Sequence, residues 1–274
     1  MAFYIIFFYI TVIAYLLATF ISIAYLIFHN DKVIKVANSA ILAGFVFHTL
    51  TIISRWFEAS RAPFANLHEV LSLFSWMVVI IYLLIYLRYK VAVIGTFVAP
   101  LAFLLITTAS FLPKEIIPLA PSLESYWLPI HVSLAFLGNG FFAMTFLLGI
   151  MYLIQEHYLK SRKVGGLYFL LPSLDILDEL SYKCLTYGFP LLTIAMITGA
   201  IWAEYVWGSY WSWEPRQTWS LITWFLYAAL LHGRLTVGWR GRKAAIYSIV
   251  SFLILVGSFA MIKIFSWGAH AVFK

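Results

Sequence analysis

Charge is scarce in this chain. Asp, Glu, Lys and Arg together make up 11% of its 274 residues, less than half of the roughly 25% typical of a soluble domain. So few charges cannot clothe a water-exposed globule, and a soluble fold is excluded. Cysteine is scarcer still: the single Cys184 rules out a disulfide framework and a CxxC redox pair, and leaves it a packing role. There is no internal repeat, no low-complexity tract and no residue placed as a nucleophile. In their place stand 64% hydrophobic residues and a mean hydropathy of +0.94, the composition of an integral membrane protein.

Apolar runs of about 20 residues, the length that crosses a bilayer, fall near residues 3–28, 38–55, 68–87, 91–112, 130–154, 186–204, 217–233 and 244–266. The expectation is an all-α, polytopic bundle of about eight transmembrane helices forming a single domain over residues 1–274. The first run has no basic segment before it and no small-residue cleavage pattern after it, so it reads as an uncleaved span. Lys and Arg are divided twelve to six between the two sets of connections: the richer set, around Lys32, Arg88, Lys160, Lys183 and Arg240, is expected in the cytoplasm, and the poorer set, with Arg55, Lys114 and Arg216, outside with both termini. The net charge of +7 therefore reports topology and anionic headgroups, and no nucleic acid is expected. All outward loops are too short for a folded domain. Within the longest cytoplasmic connection, PSLDILDELSYKCL sets Leu174, Leu177, Leu180 and Cys184 on one helical face, and reads as an interfacial helix lying along the membrane.

Residues 207–224, WGSYWSWEPRQTWSLITW, fall on the outer face between the sixth and seventh spans. Trp202, Trp207, Trp211, Trp213, Trp219 and Trp224 put six of eleven tryptophans into 23 positions, beside Glu214, Pro215, Arg216 and Gln217. An aromatic belt at the membrane interface accounts for Trp56, Trp127 and Trp239, but less well for this density next to an acid and an arginine. Indole faces grip a flat conjugated ring, each adding roughly 0.5–1.5 kcal/mol beyond the area covered. Haem is the natural candidate. Its iron takes imidazole ligands, and of seven histidines two are level with this segment: His131, opening the fifth span, and His270, after the eighth. His232 lies about 16 residues beyond Arg216, roughly 24 Å deeper at 1.5 Å per residue, and marks a second, inner station. His48 lies inside the second span, where a satisfied core histidine is an equal reading. His29 and His157 belong to helix ends. In ANLHEV, Asn66 and Glu69 have the spacing of a capping box; His68 occupies the first turn that follows, with a haem or substrate contact left open.

These segments resemble the tryptophan-rich "WWD" haem-handling proteins of cytochrome c biogenesis, in the CcsA/ResC branch of the System II pathway. WGSYWSWEPRQTWSLITW is similar to the signature itself; RWFEASRAPFANLHEVLSLFSW, SYWLPIHVSLAFLGNG, LDELSYKCLTYGFPLLTIAMITGAIWA, LLHGRLTVGWRGRKAA and the terminal GAH are similar to the elements around it, in order and over most of the chain. The resemblance implies that His131 and His270 ligate haem at the outer site, that Trp207, Trp211, Trp213 and Trp219 form its platform, and that His232 serves the membrane site. Two positions depart from the family pattern: Glu214 stands where it has aspartate, and Gln217 where it usually has glutamate.

The function so implied is delivery of haem b (iron protoporphyrin IX) and its covalent attachment to an apocytochrome c bearing a CxxCH motif, on the outer side of a bacterial inner or plastid thylakoid membrane. The expected partners are a CcsB/ResB-type membrane subunit and a thioredoxin-like thiol reductant; the chain would be the haem-binding subunit of a holocytochrome c synthase. Arg216, with Arg55 and Arg61 on the same side, is placed to hold propionates. A haem exporter without ligation activity and a haem-bearing electron-transfer subunit are the alternatives.

Overall fold

A computed structural model describes residues 2–116, 125–161 and 165–264; His270 lies outside them. Every element among these residues is helical: α1 Ala2–Phe28, α2 Asp31–Ala59, α3 Leu67–Tyr89, α4 Gly95–Ser110, α5 Trp127–Lys160, the single turn α6 Leu167–Leu170, α7 Leu174–Trp207, α8 Pro215–His232 and α9 Arg242–Ile264. Eight of the helical segments are long and apolar enough to cross a membrane, as the apolar runs foretold, and the chain is an integral membrane protein. Several helices outrun their apolar stretches. α2 begins at Asp31 instead of near residue 38, because Asn30 caps it by accepting from the Lys32 amide at 2.8 Å, and the helix carries its charged first turns beyond the hydrocarbon layer.

The expected interfacial helix is absent as a separate element. Its residues form the first turns of α7, which runs unbroken through Pro190. At 34 residues it is about 51 Å long against a hydrocarbon core of about 30 Å, so Asp175, Asp178 and Glu179 extend past the apolar layer. The apolar face of Leu177, Leu180 and Cys184 is buried against protein, which is why this segment does not lie on the bilayer.

The chain divides into two compact units, Met1–Ile117 with Gln155–Ser173, and Pro118–Ile154 with Leu174–Lys274. In the first, α1 packs along α2 and α4, and α3 along α4. Its interior holds Phe8, Tyr15, Ile41, Ile81, Tyr82 and Ile106, and two of its buried polar clusters are paired, as a low-dielectric interior favours. Tyr82 Oη donates to Asn38 Oδ1 at 2.5 Å, and His48 lies between Tyr15 Oη and Ser72 Oγ at 3.2 and 3.0 Å.

In the second unit α5 is the central post. It crosses α7 where Gly138 meets Gly188: a Cβ on Gly138 would lie 3.1 Å from Gly188 O, and one on Gly188 would lie 2.9 Å from Phe141 Cβ. Small residues let membrane helices approach this closely. Further along α5, Phe142 stacks on Tyr227 of α8 at 3.5 Å between centroids, and Phe146 on Phe252 of α9 at 4.8 Å. At the far end of α8 the helix widens into a π turn, Gly233–Val237. There Arg234 forks onto Asp178 with contacts of 3.0 and 2.8 Å, and the Gly241 amide donates to Asp178 Oδ1 at 2.9 Å. The acid face of α7 is thus partly internal, with Asp178 tying α7 to the turn between α8 and α9.

Candidate functional site

His131 enters the site two turns before the glycine crossing, on the same face of α5 as Gly138. Its Nδ1 lies 2.7 Å from the carbonyl oxygen of Ala195 on α7. A carbonyl only accepts, so Nδ1 carries the proton, and in the neutral ring Nε2 holds the lone pair. The imidazole runs nearly parallel to Trp202, with centroids 6.4 Å apart and planes at 21°. Trp202, 3% exposed, packs edge-on against Trp207 at 4.9 Å. His131, Trp202 and Trp207 therefore make one aromatic group built by α5 and α7.

The loop after α7 carries a second group. Trp211 and Trp213 meet edge to face at 5.8 Å and 83°. Trp213 takes a left-handed backbone, φ 57°, which a bulky residue adopts only under local restraint. The restraint comes from the side chains around it. Gln217 Oε1 accepts from the Ser212 amide at 2.8 Å, and Thr218 Oγ1 donates to Trp213 O at 3.1 Å. The Ser212 hydroxyl lies 3.0 Å from Glu214 Oε1 and 3.1 Å from Gln217 Oε1. Pro215 starts α8 at the position where a missing N–H costs nothing. Trp213 is left 65% exposed, Trp219 is half-buried and Arg216 exposed, whereas Glu214 is buried. Trp224 is separate: its Nε1 donates to Thr193 Oγ1 at 2.9 Å, which makes it part of the α7–α8 packing.

His232 ends α8 with its side chain exposed and without a side-chain hydrogen bond among the described residues. Ile222, Phe225 and Ala229 are exposed on the same helix at intervals of three and four, so the imidazole closes an otherwise apolar stripe. A cavity of about 750 Å³ opens nearby between the start of α7 and the turn leading to α9, lined by Tyr152, Asp175, Tyr182, Arg234, Trp239 and Arg242 among others. Arg234 and Leu235 line it and His232 does not.

Three expectations for the first unit change. His68 is no open contact: Nδ1 lies 2.7 Å from Ala109 O, the Tyr4 hydroxyl engages Nε2, and the residue is 1% exposed. Arg55 and Arg61 are not placed for propionates, because both bind Glu69, with contacts of 2.9 Å each. The capping box at α3 forms on one side only. Asn66 Oδ1 accepts from the Glu69 amide at 2.8 Å, but the Glu69 carboxylate accepts from the Ala65 amide, at 2.9 Å, in place of Asn66. Glu69 is thereby the hub that closes the loop after α2.

Residues 64–270 match the profile of a family described as cytochrome C assembly protein. The cytochrome c biogenesis protein CcsA of Guillardia theta is 36% identical over 246 residues, covering 81% of this chain and 81% of that protein. CcsA of Synechococcus sp. (strain CC9902) is 33% identical over 248 residues, covering 81% and 82%. Among solved structures, cytochrome c heme lyase CcmF superposes with a TM-score of 0.70 at 14% identity. The match takes in 94% of this chain but 46% of that one, and it is a likeness of fold.

Proposed function

Because this chain belongs to the cytochrome c assembly protein family, we propose that it is the haem-holding membrane subunit of a cytochrome c synthase. The proposed outer site binds haem b between His131 and His270 against Trp207, Trp211, Trp213 and Trp219, with Arg216 and Glu214 at its polar edge. The observation that carries this reading is the bond from His131 Nδ1 to Ala195 O. Metal-bound histidines commonly donate their other ring N–H to a carbonyl, which fixes the tautomer and raises the basicity of the ligating nitrogen. When bound, haem would supply an iron for histidine ligands and vinyl groups to which the client's thiols could add.

The residues of this chain position the reaction. Such an addition would need no oxidant, because the hydrogen of each client thiol would be retained in the product. His131 and His270 hold the plane of the ring, and the indoles exclude water from one face, which brings sulfur and carbon within reacting distance.

His232 is the proposed inner ligand. Its exposure at the end of an apolar stripe suits a site completed by another subunit, since an ionisable group in a span faces protein or a cavity as a rule. A CcsB/ResB-type membrane protein is the proposed partner, apocytochrome c the substrate and a thioredoxin-like reductant the source of free client thiols. The whole chain is proposed to work as one haem-handling domain, with both termini and the tryptophan loop outside a bacterial inner or plastid thylakoid membrane. An electron-transfer subunit with paired histidines inside its spans is disfavoured by His48, whose two nitrogens are engaged by Tyr15 and Ser72.

The test is the haem spectrum of the purified chain, of His131→Ala and of His270→Ala, together with covalent haem on a client co-expressed with the chain and a CcsB/ResB-type partner. Loss in each variant, restored by added imidazole, is the expected result. Unchanged spectra in both overturn the outer site, and haem binding without a covalently loaded client makes the chain an exporter.

A further inference from the structure

The contact that orients His131 is unusual for a helix interior. The carbonyl of Ala195 belongs to the middle of α7, where the hydrogen-bond ladder gives it the amide of residue 199 and the Thr198 hydroxyl approaches it at 3.0 Å while also donating to Ile194 O. Side chains on a helix lean toward its N-terminus and cover the turn before them, so the residue at 199 ordinarily shields the carbonyl at 195. Here that residue is glycine. A Cβ at Gly199 would lie 2.7 Å from both Cε1 and Nδ1 of His131, closer than such contacts occur, so the imidazole occupies the space of the missing side chain. Through that gap it reaches Ala195 O at 2.7 Å, and Trp202, three residues on, runs parallel to it. The register is set by the crossing of Gly138 and Gly188, which lie seven residues from His131 and from Ala195 on their respective helices.

We propose that Gly199 is a positioning residue for the outer haem ligand. By leaving the Ala195 carbonyl uncovered it holds His131 in the Nδ1–H tautomer, with Nε2 as the ligating nitrogen. This rests on the reading of His131 as a ligand and adds to it a residue with no functional group. Alanine at 199 improves helix propensity, so the backbone of α7 is retained while the seat of the imidazole is filled.

The experiment uses the full chain with nitrogen-labelled histidine. In the haem-free protein, the resonance missing from His131→Gly reports a fixed Nδ1–H tautomer, and Gly199→Ala shifts or averages it. Haem loading falls about 10–100-fold in Gly199→Ala, the usual cost of losing a ligand's hydrogen-bond partner. Gly257→Ala, where the added methyl meets open space, serves as the control and loads as wild type. In a His131→Gly background supplied with free imidazole, which is not tethered to α5, Gly199→Ala causes no additional loss. An unmoved resonance, unchanged loading in Gly199→Ala, or an equal loss in that background each overturns the positioning role. If His131→Gly alone leaves loading intact, the ligand reading falls and takes the proposal with it; if His131→Gly abolishes loading and Gly199→Ala does not, the proposal alone falls.

Discussion

The histidines of the two units are used in opposite ways. In the first unit His48 and His68 each have both ring nitrogens engaged, by Tyr15 and Ser72 and by Tyr4 and the Ala109 carbonyl, inside a core that also closes Glu69 over Arg55 and Arg61. In the second, His131 is anchored by Nδ1 on a helix carbonyl, and His232 stands at an exposed helix end. An imidazole saturated on both sides is a strut, because any new bond must break an old one. An imidazole whose Nδ1 is held on a carbonyl has its tautomer fixed, with the lone pair on Nε2. The same residue type thus serves packing at His48 and His68 and is the proposed ligand at His131 and His232.

The comparison can be broken first at Glu69. Removing it as Glu69→Ala leaves two arginines without their counter-ion, one of them buried, and is expected to cost about 3–5 kcal/mol, read as a large drop in thermal midpoint in detergent. Haem bound per folded molecule stays constant; if it falls in proportion to nothing but this substitution, the first unit is more than a scaffold. His131→Ala is the converse. Covalent haem on the client drops about a hundredfold, near 2.7 kcal/mol at 1.36 kcal/mol per decade, while the thermal midpoint moves little. A variant that unfolds would make His131 a strut as well.

His48→Phe sharpens the contrast at smaller scale. Tyr15 and Ser72 lose a buried partner, a penalty of about 1–3 kcal/mol, and the haem spectrum remains that of wild type; a changed spectrum would return His48 to the list of ligands. The smallest effect belongs to the loop. Gln217→Ala removes the acceptor for the Ser212 amide, about 1 kcal/mol, and limited proteolysis between residues 208 and 213 quickens, whereas Gln217→Glu, which keeps an acceptor oxygen in place, behaves as wild type.

Much of this architecture was legible in the chain. Eight spans follow from apolar runs, Asn66 reads as a cap, and the density of indoles beside His131 marks the outer group. What escaped sequence reasoning has a common physical cause. Ala195 acts through its backbone, Gly199 through the absence of a side chain, and neither leaves a chemical signature in one sequence. Arg55 and Arg61 were assigned by side of the membrane alone, although Glu69 was the nearby acid able to claim them. The partner of Asp178, Arg234, lies 56 residues away, beyond the reach of any local pattern. The continuity of α7 was hidden by a charged first half, which lowers hydropathy without ending a helix.

α7 also has a mechanical aspect. Its crossing with α5 falls at Gly188, fourteen residues after Leu174 and fourteen before Trp202, so two arms of about 21 Å extend from one fulcrum. The inner arm is gripped by the Asp178–Arg234 fork beside the cavity, and the outer arm carries the seat of His131. A tilt of about 5° at the inner end swings the outer end by about 2 Å in the opposite sense over arms of that length. One continuous helix therefore joins the residues beside the cavity to those that seat His131.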